Sequence, residues 1–366
     1  MRYRLFSLMI FVTVVMLIVA NTATTTSVSA DQIDEALLEG RARLDAYRIY
    51  FAEGNDAAGR FDRSDTGVSR LAGLLQRLGA DLQTLEWRRP FPTDADLVIL
   101  VGPIRDLGSE QVVRLWMYLN SGGRVLVFAN PPFEGVRALK SNAGLFEITW
   151  NDMGIRAQDG VIAREGEMRT VTLYEDATET PEGATPAPTA TPQVFEAPLL
   201  ITDFVTTSVN SSHPITQNLT NELAFFGARP LEIDATLQLF EVIPLVYSAP
   251  DYYGETDYDA YVSMGQVSYS EDEDLVRGQM LLAAISMNAT SGARLLMVGD
   301  REFVTNGGGF QTSPPNSPSF LYPGNVEFIL NAITWILDAE PQALTLPTPG
   351  PTYTPIPAST ETPEGS

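Results

Sequence analysis

Cysteine is absent from all 366 residues, which excludes disulfides, thiolate metal sites, cysteine nucleophiles and a lipid-modified N-terminal cysteine. Histidine is reduced to one, His213, so no multi-histidine metal cluster can form. Positive charge is scarce too. Against 46 Asp and Glu stand 23 Lys and Arg, and a formal net charge of −23 repels nucleic-acid phosphates. Neither a Gly-x-Ser-x-Gly elbow nor a phosphate loop ending in Gly-Lys-Ser/Thr occurs. What is present is ordinary hydrophobic content, 44%, in a chain long enough for two domains or one large one.

Residues 1–30 read as targeting: Arg2 and Arg4 precede a nearly unbroken apolar run from Leu5 to Ala20, and Val28-Ser29-Ala30 supplies small residues before Asp31. The expectation is a signal peptide cut after Ala30, or an uncleaved N-terminal anchor; either places the remainder outside the cytoplasm. Two stretches rich in Pro and Thr, an insertion at about residues 175–195 and a tail at 341–366, offer no apolar period to bury. The remaining 31–340 is expected to be a single domain, with the internal stretch a surface-loop insertion.

Val68, Leu71, Leu75 and Leu78 recur at helical spacing between Thr66, a candidate cap, and Gly79, a candidate left-handed stop, which predicts a helix over 67–79. A strand over 82–87 follows, then the continuous apolar run Leu97–Val101, the pattern of a strand covered on both faces. Ser109 is the candidate cap of a second helix, closed by Gly122-Gly123, and Val125–Ala129 is the next strand. This alternation predicts a mostly parallel sheet flanked by helices. In the second half, 199–204, 231–233 and 242–248 read as strands with no helices between them, so antiparallel additions are expected. Strands over 279–287 and 294–298 and a last helix capped by Asn325 complete the α/β reading.

Sheets of this kind bind ligands beyond the carboxyl ends of their strands. Three joints qualify: Gly102-Pro103, Asn130-Pro131 and Gly299-Asp300. Asp300 could bind a cation or orient a hydroxyl, but an acid directly after a strand more often accepts backbone N–H groups to shape a turn. His213 is the single imidazole able to act as a base, with backbone hydrogen bonding the commoner use. The acidic runs 251–259 and 271–274 lack the Gly and Glu spacing of a calcium loop and read as solvated. Gly307-Gly308-Gly309 matches a phosphate loop in glycine content alone and reads as a mobile turn. No cofactor, metal or catalytic constellation emerges.

The order of segments carries a resemblance. Asp65-Thr-Gly67, Asp96-Leu-Val-Ile-Leu-Val-Gly-Pro103, Tyr118-Leu-Asn-Ser-Gly-Gly-Arg-Val-Leu-Val127, His213-Pro-Ile-Thr216, Arg294-Leu-Leu-Met-Val-Gly-Asp300 and Asn331-Ala-Ile-Thr-Trp335 occur in that sequence. Together they resemble the extracytoplasmic domain of ABC-type transport-system auxiliary proteins, the group that includes the gliding-motility component GldG. The resemblance spans about residues 61–338. It implies a fold like class I glutamine amidotransferases without the catalytic cysteine, and a non-enzymatic partner of an ABC permease or ATPase. The bottom-up alternatives are a secreted carbohydrate- or peptide-binding protein and a hydrolase using Asp300 with His213. The candidate binding residues are Gly102, Pro103, Asn130, Pro131, His213 and Asp300.

Overall fold

Alternate residues of the central strands belong to two different cores, and this divides the molecule into layers. In the computed structural model, which describes residues 37–129, 142–173, 193–236, 239–258, 260 and 268–340, the chain runs β1 (Arg48–Glu53), α1 (Ser69–Arg77), β2 (Asp81–Glu86), β3 (Leu97–Val101), α2 (Ser109–Asn120), β4 (Arg124–Phe128) and α3 (Ala143–Met153). Next come β5 (Ile155–Ala157), β6 (Val161–Leu173), β7 (Gln193–Ile201), β8 (Asp203–Thr206), β9 (Leu223–Phe226), β10 (Leu231–Ile233), β11 (Glu241–Tyr247) and β12 (Tyr253–Glu255). The last elements are β13 (Leu281–Met287), β14 (Arg294–Val298) and α4 (Pro323–Ile336).

The seven-stranded sheet has the order β11-β13-β14-β4-β3-β1-β2. The β2–β1, β1–β3, β3–β4 and β4–β14 pairings are parallel; β13 is antiparallel to both its neighbours. The fold is therefore mixed α/β with a mostly parallel central sheet. Ile49, Phe51, Leu97, Ile99, Leu126 and Phe128 point to the face covered by α1 and α4. Val98, Leu100, Val125 and Val127 point to the face covered by α2 and α3. Because successive strand side chains alternate faces, β3 and β4 must be apolar at every position, as expected from sequence.

The antiparallel additions are three small sheets, β8–β9, β5–β10 and β12-β6-β7. β6 and β7 pair antiparallel from Leu173↔Gln193 back to Arg164↔Ile201, with one register shift between Glu165 and Met168. The strands on either side of the Pro/Thr-rich insertion thus pair with each other. Residues 174–192, the N-terminal 1–36 and the tail 341–366 lie outside the described residues. Among the described residues no helix is long and apolar enough to cross a membrane.

All three expected helix caps are corrected. α1 follows Val68, not Thr66, and has no local side-chain cap; the Arg70 N–H is instead met by Asn306 Oδ1 at 3.1 Å, from 236 residues away. α2 follows Gly108, whose N–H donates to Gln111 Oε1 at 2.6 Å. α4 starts at Pro323, and Asn325 turns sideways, fully buried, to accept from Ala224 N–H at 2.8 Å and donate to Ala224 and Phe303 carbonyls at 2.9 and 3.2 Å. At α1 the polar group that serves the helix end is tertiary, whereas the Asn325 side chain serves backbone groups of Ala224 and Phe303 rather than the end of its own helix.

Candidate functional site

Strand order places the site. The chain passes from β1 outward to β2 and then back across to β3, so β1 and β3 flank the switch point, where sheets of this kind form a crevice between the loops. The loop after β1 carries Asn55 and Asp56, both left-handed at φ 54° and 58°, residue types that tolerate that region. Asn55 accepts from Gln111 Nε2 at 2.9 Å and donates to the Asp106 carbonyl at 2.6 Å. Asp56 pairs with Arg105 at 2.7 Å, both largely exposed. The crevice is bridged by the protein's own polar groups.

Gly102 and Pro103 sit on this rim. Gly102 has φ +50°, and a Cβ there would lie 2.3 Å from Cδ of Arg301, so glycine is required twice over. Its N–H donates to the Phe128 carbonyl at 2.8 Å. The Pro103 carbonyl accepts from Asn142 Nδ2 at 2.5 Å, tying the β3 loop to the start of α3. Asn130 and Pro131 lie outside the described residues; the residue before them, Ala129, donates to the Val298 carbonyl at 2.8 Å, so β4 leaves the sheet at this same rim.

Asp300 is buried completely, directly beyond β14. Its Oδ1 accepts the Glu302 N–H at 2.7 Å and its Oδ2 the Phe226 N–H at 2.8 Å. Burial pushes its carboxyl well above the ordinary range, Glu302 and Asp203 add to this, and the two backbone donors oppose it. Gly299, just before it, receives the Arg229 N–H at 2.6 Å, and a Cβ on Gly299 would meet the Arg229 carbonyl at 2.0 Å. The strand-end acid therefore latches β14 to the β9 segment.

His213 is elsewhere. Its Nδ1 accepts the Ile215 N–H at 3.2 Å, which leaves the ring proton on Nε2, and its edge packs on Trp335 with centroids 5.2 Å apart. Burial lowers its basicity, with Glu241 opposing. The Trp335 carbonyl accepts from Arg294, the first residue of β14, whereas Asp300 follows the last. Six residues of extended chain, roughly 20 Å, thus separate the sheet edges at which His213 and Asp300 sit. The structure brings together Gly102, Pro103 and Asp300, and leaves His213 at the amino edge beside a cavity of about 420 Å³ lined by Arg41, Pro214 and Trp335. His213→Ala is expected to cost about 1 kcal/mol by orphaning the Ile215 N–H, read by chemical denaturation; an unchanged midpoint would contradict the turn role.

Sequence reasoning missed several rim residues. Gly307–Gly309 is closely packed: Cβ atoms there would meet Asp65 Cβ at 2.5 Å and the Glu302 and Phe303 carbonyls at 2.1 Å each. Beside it Asn306 donates to the Asp62 and Ser64 carbonyls at 3.0 and 2.8 Å, and Gly307 N–H to the Asp65 carbonyl at 2.8 Å. The Asp65-Thr-Gly67 segment and the triple glycine are thus two halves of one clamp. Gly54-Asn55-Asp56 after an alternating run was a readable turn signal. Arg229, fully buried, gave none. Among the described residues no group of three His, Asp or Glu could hold a metal.

No family model matches the chain, and no curated protein matches it. Among solved structures, the mmIFT52 N-terminal domain is 12% identical, with 79% of this chain and 97% of that one covered and a TM-score of 0.49. A ThuA-like protein from Bacteroides uniformis is 10% identical, with 81% and 93% covered and a TM-score of 0.39. Neither likeness says what this chain does.

Proposed function

We propose that this protein is a non-catalytic, extracytoplasmic interaction module of amidotransferase-like α/β fold that works beside an ABC-type transport system, with the carboxyl rim as its contact surface. The observation that carries the reading is the state of Asp300: the acid placed where this sheet class puts its chemistry is buried and spends both oxygens on backbone donors. Glycine-tight loops clamped to one another offer a partner shape and surface charge, not a reactive group. The resemblance to GldG-like domains supplies the partner class. The strand order β2-β1-β3-β4-β14, that of doubly wound sheets, supports the finer fold assignment. An anchor in residues 1–30 would join the domain at the amino edge, since Gly40–Ala42 and Asp338–Ala339 line the same cavity there.

Crosslinking in the native host tests this. Permease or ATPase subunits of an ABC system are expected in the product, and Arg105→Glu, which reverses an exposed rim charge whose ion pair is worth under about 1 kcal/mol, is expected to reduce their recovery without lowering the melting temperature. Recovery of no membrane protein, with the mature chain free outside the cell, would replace the transport reading with that of a secreted binding protein.

A further inference from the structure

A second concavity lies beside the rim rather than in it. One wall is a face of α3 carrying Phe146, Glu147 and Trp150; the other is formed by residues 156–159 at and after β5 with Glu232 of β10, and Leu275 closes the side. Its volume, about 490 Å³, falls in the range of small-molecule sites. Nothing in the transporter reading uses it.

The walls show what kind of ligand fits. Arg156 lies over the Trp150 ring at 4.3 Å and donates from Nε and Nη2 to Glu232 Oε2 at 2.8 and 2.6 Å. Gln158 Nε2 approaches the same oxygen at 3.4 Å. Behind the wall, Arg229 lies 4.9 Å from the Phe146 ring and donates to the Gln158 carbonyl and to Asp159 Oδ1, each at 2.8 Å. Each cation is therefore matched to a carboxylate already. An anionic ligand would have to displace a carboxylate from Arg156 or Arg229 and would face Glu147, Asp159 and Glu232, at a cost that a cleft of this size would not return. A neutral ligand with many hydroxyls would not, because Glu232 Oε1 and Asp159 Oδ2 accept no hydrogen bond among the described residues. The planar carboxylate, amide and guanidinium groups are held rigid by their mutual bonds and by stacking, so little ordering entropy is lost on binding. Trp150 and Leu275 add apolar surface for the C–H face of a ring.

We infer that this cleft binds a neutral saccharide, its ring C–H face against Trp150 and Leu275 and its hydroxyls on Glu232, Gln158 and Asp159. A sugar ring has this division, an apolar face and a polar edge. The site stands separately from the transporter reading: crosslinking tests one, titration the other, and either can fail alone.

The test is a glycan array probed with the chain from Asp31 to Ser366, followed by titration of the hits monitored by tryptophan fluorescence. At least one neutral oligosaccharide is expected to saturate below about 10 mM, with acidic sugars and unstructured peptides weaker. Trp150→Ala is expected to weaken binding about tenfold or more. Gln158→Ala, at a half-buried amide whose side-chain hydrogen bond to Glu232 is long, 3.4 Å, keeps the test decisive if the tryptophan variant fails to fold, and it should weaken binding at least severalfold. Absence of any neutral hit, tighter binding of acidic sugars, amino sugars or peptides, or affinity indifferent to Gln158→Ala would overturn the assignment.

Discussion

Glu255→Gln is expected to be about 3 kcal/mol more stable than the parent at pH 8 and about equal to it at pH 4. Glu255 ends β12 with its side chain almost fully buried. Oε1 accepts the Asp257 N–H at 2.8 Å and Oε2 the Tyr253 hydroxyl at 3.3 Å. Burial, followed by the neighbouring Asp274 carboxylate, pushes its pKa from 4.5 up to about 7, against the opposing pull of the Asp257 N–H and the Tyr253 hydroxyl. Asp274 is fixed by the Thr256 and Ser270 N–H groups at 3.0 and 2.7 Å, so it cannot move away. Glu165 and Arg277, paired at 3.0 Å, complete the charged surroundings.

The folded state thus holds this proton more tightly than the unfolded chain does. Stability from this group is complete below pH 4.5 and is lost as pH rises through about 7. Glutamine mimics the protonated acid and has nothing to lose. Denaturant titrations of parent and variant at pH 4, 6 and 8 measure the difference directly, and parallel pH profiles would show that Glu255 and Asp274 do not share a proton.

Asp300→Ala is expected to cost about 4 kcal/mol, and Asp300→Asn about 2 kcal/mol. Alanine leaves the Phe226 and Glu302 N–H groups without their acceptor and opens a small cavity. Asparagine keeps one acceptor but turns an amide toward the other donor. The graded loss is the signature of a latch, and for a domain of this size it corresponds to a fall in melting temperature of roughly 2–4 °C per kcal/mol. If Asp300→Ala keeps the parent's stability yet abolishes a measurable hydrolytic activity, the proposed non-catalytic role fails and the enzyme alternative takes its place.

Much of the central sheet was legible from residue pattern. Leu97–Val101 and Val125–Ala129 are apolar at every position because both faces are covered, and few other environments demand that. The spacing of Leu71 and Leu75, and of Phe328, Ile329 and Ile333, announces one-sided burial of a helix. β1 went unread although it lies at the switch point, since Arg48-Ile-Tyr-Phe-Ala-Glu53 mixes charge with short alternation, and its two half-buried ends mask a central position. α3 was missed as well. Its apolar residues lie nearly all round, so no stripe marks the buried face.

The candidate site was legible only in part. By itself the sequence determined the layered α/β class, the absence of thiol and multi-histidine chemistry, and Gly102 and Asp300 as residues of strand ends. These follow from composition and from short-range periodicity, which a chain carries locally. Tertiary structure alone decided that Asn306 caps α1, that Asn325 ties α4 to β9, that Asp300 and His213 occupy opposite edges, and that Arg229 stands behind the cleft of α3 and β5. Each of these depends on polar groups far apart in sequence meeting where water is excluded. Which distant donor finds which acceptor is set by how the layers pack, and no local pattern encodes it.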